Sequence, residues 1–201
     1  MTTKTLLAGL SKFVSGASVR WVGCEPNACQ RVYFANHTSH LDAVVIWASL
    51  PPALRELTKP VAARDYWARG PLRRYLANKV LGAVLIDRKK ATVRDNPLTA
   101  MINALGEHHS LILFPEGNRQ AEIDLAPFKS GLYHLAKWRP DVEFVPVFIE
   151  NLNRILPKGE ILPVPLLGYV SFGPPIKCEA DEDKHAFLER AQAAVKALQQ
   201  P

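Results

Sequence analysis

Residues 31–50, RVYFANHTSHLDAVVIWASL, contain the pattern that decides the fold. Apolar residues predict a short strand over residues 31–35 and a helix over residues 39–50. Between the two lies the polar segment NHTSHLD at residues 36–42. A strand, a polar loop and a helix in this order are typical of α/β domains, whose functional side chains gather where strands end. The stretch therefore predicts an α/β domain with a candidate site just after this strand.

The same alternation of strands and helices continues in both directions along the chain. Further strands are expected over residues 19–24, 61–63, 82–86, 110–114, 143–149 and 168–172, and helices over residues 5–18, 66–80, 96–108, 131–138 and 181–198. Asn96 and Asp181 are the expected N-caps of two of these helices, and the proline-rich stretch 157–165 is expected to be a loop. A chain of 201 residues fits one domain with a well-buried core. We expect a single domain in which helices flank a mixed, mostly parallel sheet.

Composition narrows the classes of partner. The chain has 25 Lys and Arg against 19 Asp and Glu, a formal net charge of +6, which suits nucleic acid, a phosphorylated small molecule or an acidic membrane surface. The basic residues are dispersed and carry no nucleic-acid-binding signature, so we expect no nucleic-acid partner. The cysteines Cys24, Cys29 and Cys178 predict free thiols in a reducing compartment. No apolar stretch reaches the roughly 20 residues of a spanning helix, which predicts a cytosolic protein or one on the cytoplasmic face of a membrane.

The polar segment after the first strand contains a candidate catalytic pair. His37 and Asp42 are five residues apart, so they can meet only if His37 lies in the loop and folds back over the helix N-terminus. A histidine oriented by a carboxylate is the base half of a catalytic triad. Ser39 and Asp42 also fit a capping-box pattern, in which Asp42 would only stabilise the helix N-terminus. Spacing alone does not choose between these two interpretations.

Two other segments contain candidate ligand-binding groups. The strand over residues 110–114 is followed by Pro-Glu-Gly-Asn-Arg, in which Gly117 permits close backbone approach and Arg119 offers a planar fork for a phosphate. Arg88 directly follows the strand ending at residues 86–87, and Lys129 lies in a later Phe-Lys-Ser-Gly stretch. Solvated surface charges are the alternative for each group.

In chain order these segments resemble the glycerophospholipid acyltransferase family, which includes the 1-acylglycerol-3-phosphate acyltransferases. The family pattern is N-H-x4-D, then I-D-R, F-P-E-G-T-R, F-K-x-G and V-P-V. This sequence has Asn36-His37 with Asp42, Ile86-Asp87-Arg88, Phe114-Pro115-Glu116-Gly117-Asn118-Arg119, Phe128-Lys129-Ser130-Gly131 and Val145-Pro146-Val147. Asn118 replaces the usual Thr, and Arg64-Asp65-Tyr66-Trp67 departs from the usual Lys/Glu-rich stretch, so the exact acceptor stays open.

The resemblance implies acyl transfer from an acyl thioester, acyl-CoA or acyl carrier protein, to the free hydroxyl of a lysophospholipid. The acceptor it favours is 1-acylglycerol-3-phosphate, which gives phosphatidic acid; lysophosphatidylethanolamine or an aminolipid is the alternative. His37 would be the general base oriented by Asp42, with no metal and no cofactor beyond the co-substrate. The residues expected to bind the acceptor are Arg88, Glu116, Gly117, Asn118, Arg119 and Lys129.

Two rival activities remain to be weighed. A zinc-dependent hydrolase using His37, His40 and Asp42 is a rival, although two residues separate the histidines where the metallo-β-lactamase pattern has one. Thioester hydrolysis without an acceptor is another.

The N-terminal segment is a candidate membrane contact. We divide the chain into residues 1–22, an amphipathic helix and candidate peripheral membrane anchor, and residues 23–201, the acyltransferase domain. The apolar stripe of this helix comprises Leu6, Leu10, Phe13, Val14 and Ala17, continued by Trp21. The same stripe would serve equally well packed on the sheet, in which case the basic segment 67–79 is the next candidate for membrane contact.

Overall fold

The strands form one seven-stranded sheet in the computed structural model, which describes residues 3–15, 18–39, 41–87, 96–118, 125–150 and 168–199. The strands are β1 (Ser18–Trp21), β2 (Arg31–Ala35), β3 (Thr58–Ala63), β4 (Val84–Ile86), β5 (Ser110–Leu113), β6 (Glu143–Glu150) and β7 (Tyr169–Phe172). Their order across the sheet is β1-β7-β6-β2-β5-β3-β4. Every neighbouring pair is parallel except β6 with β7. The expected α/β domain with a mixed, mostly parallel sheet is confirmed.

Helices cover both faces of this sheet. They are α1 (Thr3–Ser15), α2 (Asp42–Ser49), α3 (Pro52–Leu57), α4 (Arg64–Trp67), α5 (Pro71–Tyr75), α6 (Pro97–Leu105), α7 (Gly131–Trp138) and α8 (Lys184–Lys196), with a π-helical turn at Leu76–Val80 directly after α5. Successive residues of the central strand β2 point to opposite faces. Tyr33 and Ala35 join the apolar cluster under α2, whereas Val32 and Phe34 join the one under α6, α7 and α8. Burial on both faces explains why β2 is a continuous apolar run.

Some helix boundaries differ from the sequence expectation. The helix expected from residue 39 begins at Asp42. Asp183, not Asp181, caps α8, because its carboxylate accepts from the N–H groups of His185 and Ala186. The helix expected over residues 66–80 is interrupted at Gly70, whose φ of 79° is left-handed. The expected cap of α6 is confirmed: Asn96 accepts from the Leu98 N–H at 2.9 Å. The expected loop 157–165 lies outside the described residues.

The N-terminal segment is joined to the rest of the domain in two places. Leu7 and Ala8 of α1 pack on the apolar cluster that contains α2, whereas Leu6 is 58% exposed. Strand β1 pairs with β7, and Trp21 stacks on Phe172 at a ring-centroid distance of 4.1 Å. Trp21 therefore belongs to the sheet and does not extend the helical stripe. Within the described residues, none of the helices has the length and apolar character needed to cross a bilayer.

The parallel strands determine where functional groups meet. Strands β6, β2, β5, β3 and β4 run in the same direction, so their carboxyl ends lie at one edge of the sheet. Loops that follow parallel strands are the usual place for ligand-binding groups in such folds. The loops after β2 and β5, which contain the polar motifs, are neighbours there.

Candidate active site

His37 and Asp42 meet across the loop after β2. The Nδ1 atom of His37 lies 2.9 Å from Oδ2 of Asp42. The same carboxylate oxygen accepts from the backbone N–H groups of Thr38 at 2.7 Å and Ser39 at 2.8 Å. The Asp42 side chain is fully buried, whereas that of His37 is 21% exposed. The loop after β2 therefore folds back over the start of α2 and brings His37 and Asp42 together.

The pairing assigns the tautomer of His37. Because Oδ2 of Asp42 already accepts from two N–H groups, Nδ1 of His37 is the donor in the contact between them. In a neutral imidazole the other nitrogen, Nε2, is then the acceptor. A histidine held in this state can take a proton from a hydroxyl group.

Asp42 also stabilises the start of α2. The contact from Asp42 to the Ser39 N–H is one half of the expected capping box. The other half is altered, because Ser39 Oγ accepts weakly from the Leu41 N–H at 3.3 Å and helix α2 begins only at Asp42. One carboxylate oxygen thus takes part in both the His37 contact and the capping contact, so the two interpretations are compatible.

Two neighbours that the sequence analysis missed hold His37 in place. The ring of Phe114 stacks on the His37 ring at a centroid distance of 4.2 Å and an angle of 21°. The Asn36 amide group donates to the Ile149 carbonyl at 2.8 Å and accepts from the Ile149 N–H at 2.7 Å. Asn36 therefore ties the end of β2 to β6. Both residues belong to the quoted motifs, but their partners are distant in sequence and gave no signal.

Glu116 joins the loop after β5 to the loop that carries His37. Its Oε1 accepts from the His37 backbone N–H at 2.8 Å, and its Oε2 accepts from the Ala126 N–H at 3.0 Å. Glu116 is 4% exposed, and this burial raises the pKa of its carboxyl group above the ordinary glutamate range. The backbone contacts make Glu116 a bridge between two loops, and its expected contact with an acceptor stays a prediction.

Gly117 and Lys129 lie against each other beside this bridge. Gly117 has a φ of 74°, and a Cβ atom at this position would lie 2.4 Å from Nζ of Lys129. The Lys129 backbone N–H donates to the Pro115 carbonyl at 2.9 Å. The absence of a side chain at Gly117 therefore leaves room for the Lys129 ammonium group next to the loop.

A cleft of about 320 Å³ opens at this edge of the sheet. Four of its lining residues lie at or just after strand ends: His37 follows β2, Ala63 ends β3, Ile86 ends β4 and Phe114 follows β5. Tyr66, Trp67, Gly117 and Asn118 also line it. Most of the residues that line the cleft are apolar, and the imidazole of His37 lies in its wall, which suits a substrate with an apolar chain and a reactive polar group.

The remaining expected site residues are only partly covered by the structure. His40, Arg88 and Arg119 lie outside the described residues. Ile86, two residues before Arg88, and Asn118, directly before Arg119, line the cleft. In the described part of the chain, we find no cluster of three His, Cys, Asp or Glu side chains arranged to hold a metal ion.

Comparison with known proteins adds a family assignment to this geometry. A family model described as Acyltransferase matches residues 26–150. The chain is similar to the 1-acyl-sn-glycerol-3-phosphate acyltransferase of Limnanthes douglasii, with 28% identity over 178 residues that cover 87% of this chain and 60% of that protein. The enzyme of the same name from Escherichia coli is 28% identical over 137 residues, which cover 62% of this chain and 51% of its own. The chain thus spans about half to 60% of the length of these relatives.

A solved structure shares the fold. The crystal structure of the 1-acyl-sn-glycerophosphate acyltransferase from Thermotoga maritima superposes with a TM-score of 0.73 and 20% sequence identity, covering 96% of this chain and 78% of that one. At this identity the likeness concerns the arrangement of strands and helices.

Proposed function

We propose that this chain, which belongs to the acyltransferase family, transfers a fatty acyl group from an acyl thioester to the free hydroxyl of a lysophospholipid. The observation that carries the proposal is the 2.9 Å hydrogen bond between Nδ1 of His37, which lines the cleft, and the buried Asp42 carboxylate. The names of the relatives favour 1-acylglycerol-3-phosphate as the acceptor. The product would be phosphatidic acid.

In the proposed mechanism His37 is the general base. Its Nε2 takes the proton of the acceptor hydroxyl as the hydroxyl oxygen attacks the thioester carbonyl carbon. The Asp42 carboxylate, 2.9 Å from Nδ1, stabilises the imidazolium that forms. The carbon–sulfur bond then breaks, the acyl group remains on the acceptor oxygen as an ester, and the thiolate leaves as a thiol with the proton from His37. Since a thioester is already activated, the reaction needs no nucleophile from the enzyme.

Three basic residues of the sequence motifs, Arg88, Arg119 and Lys129, would bind the phosphate of the acceptor. Arg88 and Arg119 offer planar guanidinium groups, and their neighbours Ile86 and Asn118 line the cleft. Lys129 would add a point charge beside Gly117. The apolar lining would accept an acyl chain. The donor is acyl-CoA or acyl carrier protein, and no cofactor is proposed beyond it.

Glu116 would act by positioning the base. Its carboxylate holds the backbone N–H of His37 at 2.8 Å, so the loop conformation that brings His37 to Asp42 depends on it. Holding a reacting group within a fraction of an ångström of its productive position is a large part of catalysis. Zinc-dependent hydrolysis with His37, His40 and Asp42 as ligands stays a rival activity, which loss of activity with a metal chelator would support.

We place the reaction at a membrane surface, on the cytoplasmic face, because a lysophospholipid acceptor and its product reside in the bilayer. The first 22 residues stay a candidate anchor. The exposure of Leu6 favours membrane contact, whereas the packing of Leu7 and Ala8 on the core favours a structural role for this helix. Deleting residues 1–18 would test whether vesicle binding depends on the helix.

An acceptor panel tests the proposal. Purified protein is given acyl-CoA or acylated carrier protein together with each of several lysophospholipids, and thiol release is followed. We expect release that requires an acceptor and is fastest with 1-acylglycerol-3-phosphate. A faster reaction with lysophosphatidylethanolamine or an aminolipid would change the acceptor. Thiol release without any acceptor would make the protein a thioesterase, and activity abolished by a metal chelator would favour a zinc enzyme.

A further inference from the structure

The segment from Arg64 to Val80 has an exposed face beside the cleft. It comprises α4, α5 and the π-helical turn, and we call it the basic segment. Every residue from 69 to 75 is exposed. Leu72 is 69% exposed and Tyr75 is 48% exposed, although both are large apolar side chains whose exposure to water is unfavourable.

Positive charge surrounds these apolar side chains. The basic segment contains five basic residues and a single acidic one, Asp65. The basic residues are Arg64, Arg69, Arg73, Arg74 and Lys79, all of which are exposed. Helices that lie in the interface of a membrane combine apolar or aromatic side chains with basic ones in this way. Their apolar side chains enter the headgroup region, and their cations contact anionic lipids.

The basic segment is continuous with the wall of the cleft. Tyr66 and Trp67 of α4 line the cleft. The guanidinium group of Arg73 lies over the ring of Tyr66, with its Cζ 4.4 Å from the ring centroid. A surface that contacted the exposed face of α5 would therefore lie next to the cleft that contains His37.

We propose that the exposed face of the basic segment docks on an anionic membrane surface and so brings the cleft to lipids in that membrane. The choice of lipid as the occupant rests on the proposed function. Charge complementarity supports it, because each basic side chain near an acidic lipid surface strengthens binding. Leu72 and Tyr75 would enter the boundary between headgroups and acyl chains, while the arginines would stay among the headgroups.

An acidic carrier protein is the other partner that this charge would suit. The two exposed apolar side chains favour the membrane, because they can enter the acyl region of a bilayer. A second exposed aromatic residue, Trp138, lies on α7 and offers a comparison. Its neighbour Lys137 donates to the carbonyls of Glu179 at 3.0 Å and Ala180 at 2.6 Å. The contacts of Arg64 to the Leu85 carbonyl and of Arg74 to the Ala68 carbonyl are longer, at 3.3 Å.

Vesicle binding by the full chain tests the proposal. Binding is measured by co-sedimentation with vesicles of mixed phosphatidylglycerol and phosphatidylcholine, and with phosphatidylcholine alone. The charge variant is Arg69→Gln with Arg74→Gln, the apolar variant is Leu72→Ser with Tyr75→Ser, and the control is Trp138→Ala. We expect the charge variant to bind anionic vesicles about 30-fold more weakly, and the apolar variant about tenfold more weakly. The control should bind like the wild-type protein.

Two results would overturn the docking proposal. One is that both double variants bind vesicles as tightly as the wild-type protein does. If these variants also lose activity only when the acyl donor is linked to carrier protein, the exposed face binds the carrier protein instead. The other is weakened binding by Leu6→Ser alone, which would place the contact on α1. Activity on a short-chain acceptor free in solution is measured in parallel. If no variant or wild-type protein transfers acyl groups but vesicle binding changes as expected, the docking surface stands and the proposed function fails.

Discussion

The substitution Asp42→Asn separates the two contributions of this residue. The Asn amide oxygen can replace Oδ2 and still accept from His37, Thr38 and Ser39. Its NH2 group then replaces Oδ1, a buried atom without a hydrogen-bond partner among the residues that the structure describes. An unpaired buried amide costs about 1–3 kcal/mol, which lowers Tm by roughly 2–12 °C in a domain of this size. We therefore expect a folded protein of moderately lower stability.

The effect of Asp42→Asn on turnover should be larger. In the wild-type protein the carboxylate faces the imidazolium of His37, and the variant lacks that negative charge. At a charge separation of about 4 Å and an effective dielectric constant of about 20, the attraction is worth about 4 kcal/mol. Its loss predicts a fall in turnover of about a thousandfold.

Initial rates of thiol release at saturating donor and acceptor, with a thermal melt of each protein, test this prediction. Ser39→Ala is the matched control, because it removes the weak 3.3 Å contact to the Leu41 N–H and leaves the His37–Asp42 pair intact. The control should keep most of its turnover. A folded Asp42→Asn protein with near wild-type turnover would refute the reasoning and leave Asp42 as a helix cap.

Substitutions at three further residues, Glu116, Gly117 and Arg119, address the segment that follows β5. In Glu116→Gln an amide NH2 group replaces one of the two accepting oxygens and faces a backbone N–H, so that hydrogen bond is lost. Turnover should fall about ten- to a hundredfold, with little change in acceptor KM. Because burial raises the pKa of the Glu116 carboxyl group, the folded protein keeps this proton to higher pH than the unfolded chain does. The free energy of unfolding of the wild-type protein, relative to that of Glu116→Gln, should therefore fall as pH rises above the ordinary glutamate range. Urea unfolding at several pH values measures this difference. Gly117→Ala should lower stability by about 1–2 kcal/mol and displace Lys129, whereas Gly131→Ala, with nothing within 4 Å of its Cβ, should not destabilise. Arg119→Ala should raise the acceptor KM far more than the donor KM, and Arg119→Lys should rescue only in part; equal effects on both substrates would contradict phosphate binding.

Buried strands were predictable from the sequence, and helix starts were less so. The predicted strand at residues 31–35 matches β2, because a strand buried on both faces is a continuous apolar run. The helix expected from residue 39 begins later because the Asp42 carboxylate binds the backbone of residues 38 and 39 and keeps them in the loop. The break at Gly70 falls at the Gly-Pro dipeptide of residues 70–71, a turn signal that the basic helical pattern on either side of it obscured.

The pair at the centre of the site was predictable, but its supports were not. The spacing of His37 and Asp42 showed that they could meet only across a folded-back loop, and the family resemblance favoured that contact over a helix cap alone. The contacts of the Glu116 oxygens with backbone N–H groups, one of them 79 residues away in sequence, were not anticipated, and its contact with an acceptor stays a prediction. Such contacts depend on which strands are neighbours in the sheet, and the order of β2 and β5 is not written in either segment alone.

The most direct measurement of the central claim is the turnover of His37→Ala with acyl-CoA and 1-acylglycerol-3-phosphate. The account predicts a folded protein whose turnover falls by about two to four orders of magnitude, because the acceptor hydroxyl no longer has a base. Thermal melting and vesicle binding of the variant should stay close to those of the wild-type protein. Near wild-type turnover in folded His37→Ala would contradict the assignment of His37 as the general base.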